Sequence, residues 1–147
     1  MEFDADARKL AQAHVDEHGF LSWLGLTIEE LSEDRVVMRV PYEGKLANHS
    51  PGGEGNVHGG IAATLIDTAA GFACRTALED PVNDGLATID LNVSYLRPAT
   101  DDLVAEATLV RAGGSVGVAT VTVESDPGDG EWTTVAVGRA SYRLFRE

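Results

Sequence analysis

The feature that most constrains this chain is the stretch from Val57 to Leu78, VHGGIAATLIDTAAGFACRTAL. From Ile61 to Leu78 nearly every side chain is apolar or small, and the only charges are Asp67 and Arg75. A helix that is apolar all round is a buried helix, so this one is expected to have no solvent face. Its Ala, Gly, Thr and Cys residues carry little bulk, which lets neighbouring backbone approach on several sides. The expectation is a central helix wrapped by strands. About 20 apolar residues would also cross a bilayer, but the two internal charges, the few Leu and Ile and the acidic flanks argue against a span. The acidic start, Met1 to Asp6, lacks the positive charge of a secretory signal.

The segments around this helix alternate like strands. Residues 25–31 and 35–42 are the first two, joined by the turn-like Ser32-Glu33-Asp34. Residues 43–56, with Pro51 and four glycines, read as a loop leading into the helix, where binding residues tend to sit. Four further strands are expected at 86–96, 103–111, 116–124 and 131–145, separated by short Gly, Pro, Asp and Ser turns that fit an antiparallel meander. Before all of these, residues 5–18 suggest an amphipathic helix with Leu10, Ala13 and His14 on its inner stripe and Gly19 at the C-cap. Phe20, Leu21, Trp23 and Leu24 then form an apolar patch suited to docking on the sheet. His14 to His18 spells the H-x-x-E-H zinc pattern, but it abuts a helix-ending glycine and lacks a third ligand, so a solvated helix face is the reading and no metal is expected. The fold class is therefore α+β: one domain over residues 1–147, with 1–24 as an N-terminal helix and docking segment, and one helix inside one curved sheet of about six strands.

Composition narrows the partners. A chain of 147 residues is one domain of ordinary size. Its one cysteine excludes an internal disulfide framework, which makes a reducing cytoplasm the expected location. A net charge of −13, from 24 acidic and 11 basic residues, argues against nucleic acid and anionic membranes as partners.

Asp67 is the residue with the clearest chemical signature. It lies more than two turns into the helix, too deep to be an N-cap, and an unpaired buried carboxylate costs several kcal/mol. Pairing with Arg75 is the structural alternative, but eight residues is two turns plus about 80° of rotation, a poor geometry along one helix. Asp67 is thus the candidate catalytic group. His58-Gly59-Gly60 opens the helix, where free N–H groups and the positive dipole end suit a developing oxyanion. Glycine there also permits close approach by a ligand, while His58 is either a general base or a structural hydrogen-bonder. Gly113 to Gly117 matches the letters of the G-x-S-x-G nucleophile elbow, but a β-rich run follows and all four His precede Ser115, so a hairpin turn is expected. Cys74 reads as a packing residue.

Asn56-Val57-His58-Gly59-Gly60, then Asp67 nine residues after His58, then Thr88-Ile89-Asp90-Leu91-Asn92 running on to Arg97-Pro98, closely resembles the hotdog-fold acyl-CoA thioesterases of the phenylacetate-degradation (PaaI) type. The resemblance covers roughly residue 25 to the C-terminus. It implies that Asp67 is the base or nucleophile of thioester hydrolysis, that the Gly59 N–H binds the thioester oxygen, and that His58 shapes the helix start. It also implies that Thr88 assists the attacking water, and that an Asn preceding the motif, either Asn48 or Asn56, takes part. Gly60, Arg97, Gly114 and Ser115 are the candidate substrate contacts, with Arg97, Arg111, Arg139 and Arg143 as candidates for the coenzyme A phosphates. No cofactor is implied. The substrate would be an acyl-CoA and the assembly a homodimer at least, or a homotetramer. One feature sits awkwardly: Thr88 shares a strand face with Asp90, Asn92 and Ser94 unless a bulge re-aims it or that face meets a partner. A dehydratase or hydratase acting on acyl thioesters, and a non-catalytic acyl-CoA sensor, are the rival readings.

Only Lys9 and Lys45 are lysines, and acidity with so few lysines resembles proteins of salt-rich cytoplasms. If the charge is a salt adaptation, the melting temperature rises between low salt and molar KCl as screening relieves carboxylate repulsion. A melting temperature that stays flat or falls with salt counts against it.

Overall fold

The computed structural model describes residues 2–146. The chain runs α1 (Ala5–Glu17), α2 (Gly19–Trp23), β1 (Thr27–Ser32), β2 (Arg35–Val40), a 3-10 turn (Gly44–Leu46), β3 (Ala47–Ser50), β4 (Gly53–Val57) and α3 (Gly59–Arg75), then β5 (Gly85–Tyr95), β6 (Asp102–Ala112), β7 (Val116–Asp126) and β8 (Thr133–Phe145). The six alternating segments pair into one antiparallel sheet of order β1-β2-β6-β7-β8-β5. Alternation puts Val36, Met38 and Val40 of β2, Ala105 and Ala107 of β6, Val121 and Val123 of β7 and Ala140 and Tyr142 of β8 on the covered face. Against them α3 buries Leu65, Ile66, Ala69, Ala70, Ala73 and Cys74.

Several expectations are corrected. The helix does have an open side: five of the six strands pack against α3, yet Ala63, Thr64, Asp67 and Thr68 are only half-buried. The last four strands are not a simple meander. β5 pairs with β8 and forms the sheet edge, so only β6, β7 and β8 follow one another. The expected loop at 43–56 contains the 3-10 turn and a separate hairpin of β3 with β4. Finally, α1 ends at Glu17, with His18 extended as its C-cap. Gly19 starts α2, for which the His18 side chain is the N-cap, so the residue expected to stop one helix opens the next. The inner face of α1 is also rotated: Val15 is buried, whereas Leu10, Ala13 and His14 are exposed. From the docking patch Leu24 is buried and Leu21 packs on the core, but Phe20 and Trp23 stay half-exposed.

Along β5 the register shifts between Thr88, opposite Tyr142, and Asp90, opposite Ser141. Ile89 is the extra residue, and a bulge of this kind inverts the alternation on one side of it. Thr88 therefore joins the helix face of the sheet together with Leu86, while Leu91, Val93 and Tyr95 occupy that face beyond the bulge. Of the two alternatives the sequence left for Thr88, the bulge is present.

At Gly138 of β8 both the neighbouring strand and α3 come close. A Cβ added at Gly138 would lie 2.7 Å from the Asn92 carbonyl oxygen and 2.8 Å from Ile66 Cγ2. Since the first of these is backbone and cannot swing aside, Gly138→Ala is expected to destabilise the fold by about 1–3 kcal/mol, the usual cost of overpacking. Urea unfolding of the variant measures this directly, and an unchanged midpoint would refute the close contact.

Candidate active site

Asp67 points from the half-covered side of α3 toward β5 and β8. Its Oδ1 accepts one hydrogen bond from the Thr88 hydroxyl at 2.9 Å and another from the Tyr142 hydroxyl at 2.9 Å. The Tyr142 hydroxyl also reaches the Asp67 backbone carbonyl. Oδ2 has no partner among the described residues, so one oxygen is pinned and the other is free to react. Tyr142 is 1% exposed, and its ring lies against Gly71, where a Cβ would be 3.5 Å from the ring. Gly71 is one helical turn beyond Asp67 on the same side, so a small residue there makes room for the ring under the carboxylate. Burial, and then the adjacent Asp67 charge, push the Tyr142 hydroxyl far above its ordinary range, which keeps it a proton donor. Arg75 is not the partner of Asp67: its Nη1 donates to the carbonyls of Pro81 at 3.0 Å and Asp84 at 2.9 Å.

The start of α3 is built by the other motif residues. His58 is the N-cap, and its Nδ1 accepts from the Gly60 N–H at 2.8 Å. That bond uses up the Gly60 N–H, so Gly60 serves the helix cap, and the Gly59 N–H is left without a partner among the described residues. Side-chain rings come close to both glycines. A Cβ on Gly60 would sit 2.9 Å from His58 Nδ1, and one on Gly59 would sit 3.1 Å from the Tyr95 ring. Tyr95 fixes this peptide further, its hydroxyl donating to the Gly59 carbonyl at 2.7 Å. The helix end thus presents one oriented N–H together with the positive end of the helix dipole. Eight residues separate it from Asp67, about 12 Å along the axis.

The remaining expected residues are placed elsewhere. Asn48 and Asn56 lie exposed on the β3–β4 hairpin, and neither side chain bonds to Asp67 or Thr88. Gly114 and Ser115 form the β6–β7 turn, closed by Gly113 N–H to the Val116 carbonyl at 2.8 Å, with a strand and not a helix after it. Around this turn Arg143 Nη1 donates to the Ser115 carbonyl at 3.4 Å, Arg146 Nη2 donates to the Gly113 carbonyl at 2.9 Å, and Arg111 lies against Gly113. Arg97 is exposed and donates to the Thr134 carbonyl at 2.8 Å, and Arg139 sits opposite Asn92 on the sheet. Cys74 is buried and its thiol is pushed up to about 11 by burial, as suits a packing residue. The sequence reading missed Tyr142 and Tyr95. Tyr142 had a signal: it alternates with Ala140 and Leu144 on an inward face, and a buried tyrosine hydroxyl needs a partner.

Residues 54–131 match the family model described as Thioesterase superfamily. A Halobacterium salinarum protein provisionally named an esterase is 58% identical over 148 residues, covering 99% of this chain and 97% of its own length. The medium/long-chain acyl-CoA thioesterase YigI of Escherichia coli is 36% identical over 100 residues, 60% of this chain and 62% of its own. The solved structure of the Escherichia coli PaaI protein, from the phenylacetic acid degradation operon, has a TM-score of 0.77 at 22% identity, covering 97% of this chain and 95% of that one. The shared fold is the hotdog fold, a long helix on an antiparallel sheet.

Because His58 acts through a side-chain cap, His58→Ala is expected to cost about 1 kcal/mol of stability, whereas His58→Asn, a favoured N-cap, retains it. Thermal unfolding of the two variants checks this, and equal losses would contradict the capping role.

Proposed function

The chain belongs to the thioesterase superfamily and is a thioester hydrolase, and from that premise we propose that it cleaves acyl-CoA with Asp67 as base or nucleophile and the Gly59 N–H as oxyanion donor. The observation that carries this is the Asp67 carboxylate, held at Oδ1 by Thr88 and Tyr142 with Oδ2 left free. As base, Oδ2 takes a proton from water while the water oxygen attacks the thioester carbon. The carbonyl oxygen becomes an anion beside the helix N–H, where a fixed donor and dipole stabilise it without reorganisation. The C–S bond then breaks, the electron pair leaves with the coenzyme A sulfur, and a proton returns to that thiolate. As nucleophile, Oδ2 attacks the carbon itself and water later cleaves the mixed anhydride. In this arrangement Thr88 is spent on Asp67, so it positions the carboxylate first and contacts water only through it.

Arg111, Arg143 and Arg146 around Gly114 and Ser115 support the coenzyme A reading. Three guanidinium groups meet at one turn of a chain of net charge −13; Arg143 and Arg146 donate to carbonyls of the turn and Arg111 lies against Gly113. Phosphates would find there the planar donors they favour. The likeness to YigI favours a medium or long aliphatic acyl group over an aromatic one. Thiol release from a panel of acyl-CoAs tests the reading. Asp67→Asn is expected to keep the fold and lower turnover by roughly 10²-fold or more, the range for loss of a general base. Near-wild-type turnover by purified Asp67→Asn would sink the assignment of Asp67.

The free Gly59 N–H and Asp67 lie about 12 Å apart on one helix, too far to meet at one carbonyl. We therefore place each site between two subunits, with Gly59 from one and Asp67 from the other, and the homodimer as the minimum active unit. The half-covered side of α3 and the edge strand β5, which exposes Ile89 and Tyr95 at 58% and 57%, support such a partner. The test is complementation in mixed dimers. One inactive chain carries Asp67→Ala; the other carries Gly59→Pro, which deletes the N–H, with Tyr95→Ala to give the new ring room. A mixed dimer is expected to recover one intact site, whereas folded heterodimers without recovered activity would refute the shared arrangement.

A further inference from the structure

A groove away from the Asp67 site runs along α1. Ala7, Leu10, Ala11, His14 and His18 recur at helical spacing and form one side of it over about 16 Å. The end of α3 forms the other side with Phe72 and Arg75, and the enclosed volume is about 240 Å³. Its walls are mostly apolar, and the charge at its borders is one-sided. The titratable side chains that line it are His14, His18 and Arg75, with no Asp or Glu among the described lining residues, in a chain that has 24 acidic residues against 11 basic ones. Arg75 is half-buried, and burial disfavours its charged form. Its Nη1 is spent on the carbonyls of Pro81 and Asp84, while Nε and Nη2 have no partner among the described residues. The Asp84 carboxylate acts on it from outside the groove and accepts from the Asp80 N–H at 3.4 Å.

From this juxtaposition we propose that the groove between α1 and the end of α3 binds an aliphatic carboxylate, its chain against Leu10 and Phe72 and its head group on the free donors of Arg75. A guanidinium fork suits a carboxylate bidentately, and the apolar walls suit a hydrocarbon tail better than a hydrated anion. The assignment rests on the groove alone, and a binding experiment without turnover tests it independently of Asp67.

Decanoate titrated into the full chain is expected to bind saturably and to shift the backbone amide resonances of α1 and of residues 72–82. Ala7→Trp fills the groove from a half-buried position on α1 and abolishes that binding. Arg75→Gln weakens decanoate about 10-fold, the loss expected for one charge-assisted contact, and leaves 1-decanol unchanged. Since Arg75 also ties down residues 81–84, Leu10→Glu is the second variant. Leu10 is 46% exposed, so a carboxylate there leaves the fold intact, repels the head group and weakens decanoate more than decanol. Binding that survives Ala7→Trp, or that decanol matches in the wild type, or that leaves the α1 resonances in place overturns the proposal. So does an assembly that Ala7→Trp breaks without any decanoate binding, which would make the groove an interface between copies.

Discussion

A carboxylate placed midway along an apolar helix has to be compensated, and in this chain two hydroxyls from two different strands do it. Thr88 on β5 and Tyr142 on β8 are direct partners across the sheet, and both donate to the same oxygen of Asp67. Much of the local structure follows from that requirement. Thr88 faces the helix only because Ile89 is extruded as a bulge. Tyr142 reaches Asp67 only because Gly71 leaves room for its ring. A slip of one residue between β5 and β8 would turn one hydroxyl to the far face, so the hydrogen bonds and the hydrophobic pattern specify the same register.

The small residues of α3 have a second consequence. Small residues meet across this core, with Ala62, Ala69, Ala70 and Ala73 on the helix and Ala105, Ala107, Ala119, Ala136 and Ala140 on the strands. The backbones can then approach until only glycine fits at Gly138 and, against Cys74 Sγ at 3.0 Å, at Gly117. Interiors packed to this density do not adjust continuously. The helix is consequently held rigidly enough for its first N–H, oriented by the His58 cap and by Tyr95, to act as a fixed electrostatic feature.

The central helix, its capping His-Gly-Gly, the odd position of Asp67 and six strands were all legible in the sequence, because each rests on a local pattern: apolar period, glycine placement, alternation. What was not legible depends on contacts distant in sequence. That β5 pairs with β8 and not β6 is a matter of sheet order, which turn composition does not encode. Tyr142 lies 75 residues from Asp67 and was hidden among other inward residues of its strand. Gly19 was misplaced because a glycine after a helix and a glycine opening the next one look alike, and here His18 caps the second. The apolar character of α3 was read as leaving no open face, whereas Ala63, Thr64, Asp67 and Thr68 stay half-buried beside the sheet that packs on it.

That last difference bears on how the enzyme is completed. The helix side bearing Ala63, Thr64, Asp67 and Thr68 is small and only half-buried, and it holds the proposed reacting carboxylate. Burying it under the chain's own loops would close off Oδ2, and leaving it open would keep water around the charge and weaken every electrostatic contact there. The proposed second copy of the same helix would resolve the conflict, excluding water from this side and bringing a free helix N-terminus to the carboxylate. The distribution of cations fits the same economy. Arg35, Arg39 and Lys45 are paired with carboxylates, whereas Arg143 and Arg146 are turned onto carbonyls of one turn and Arg111 lies beside it. In a chain with more than twice as many acids as bases, arginines kept clear of carboxylates fit the proposed coenzyme A site, where a polyanion would have to be held against the field of the whole protein.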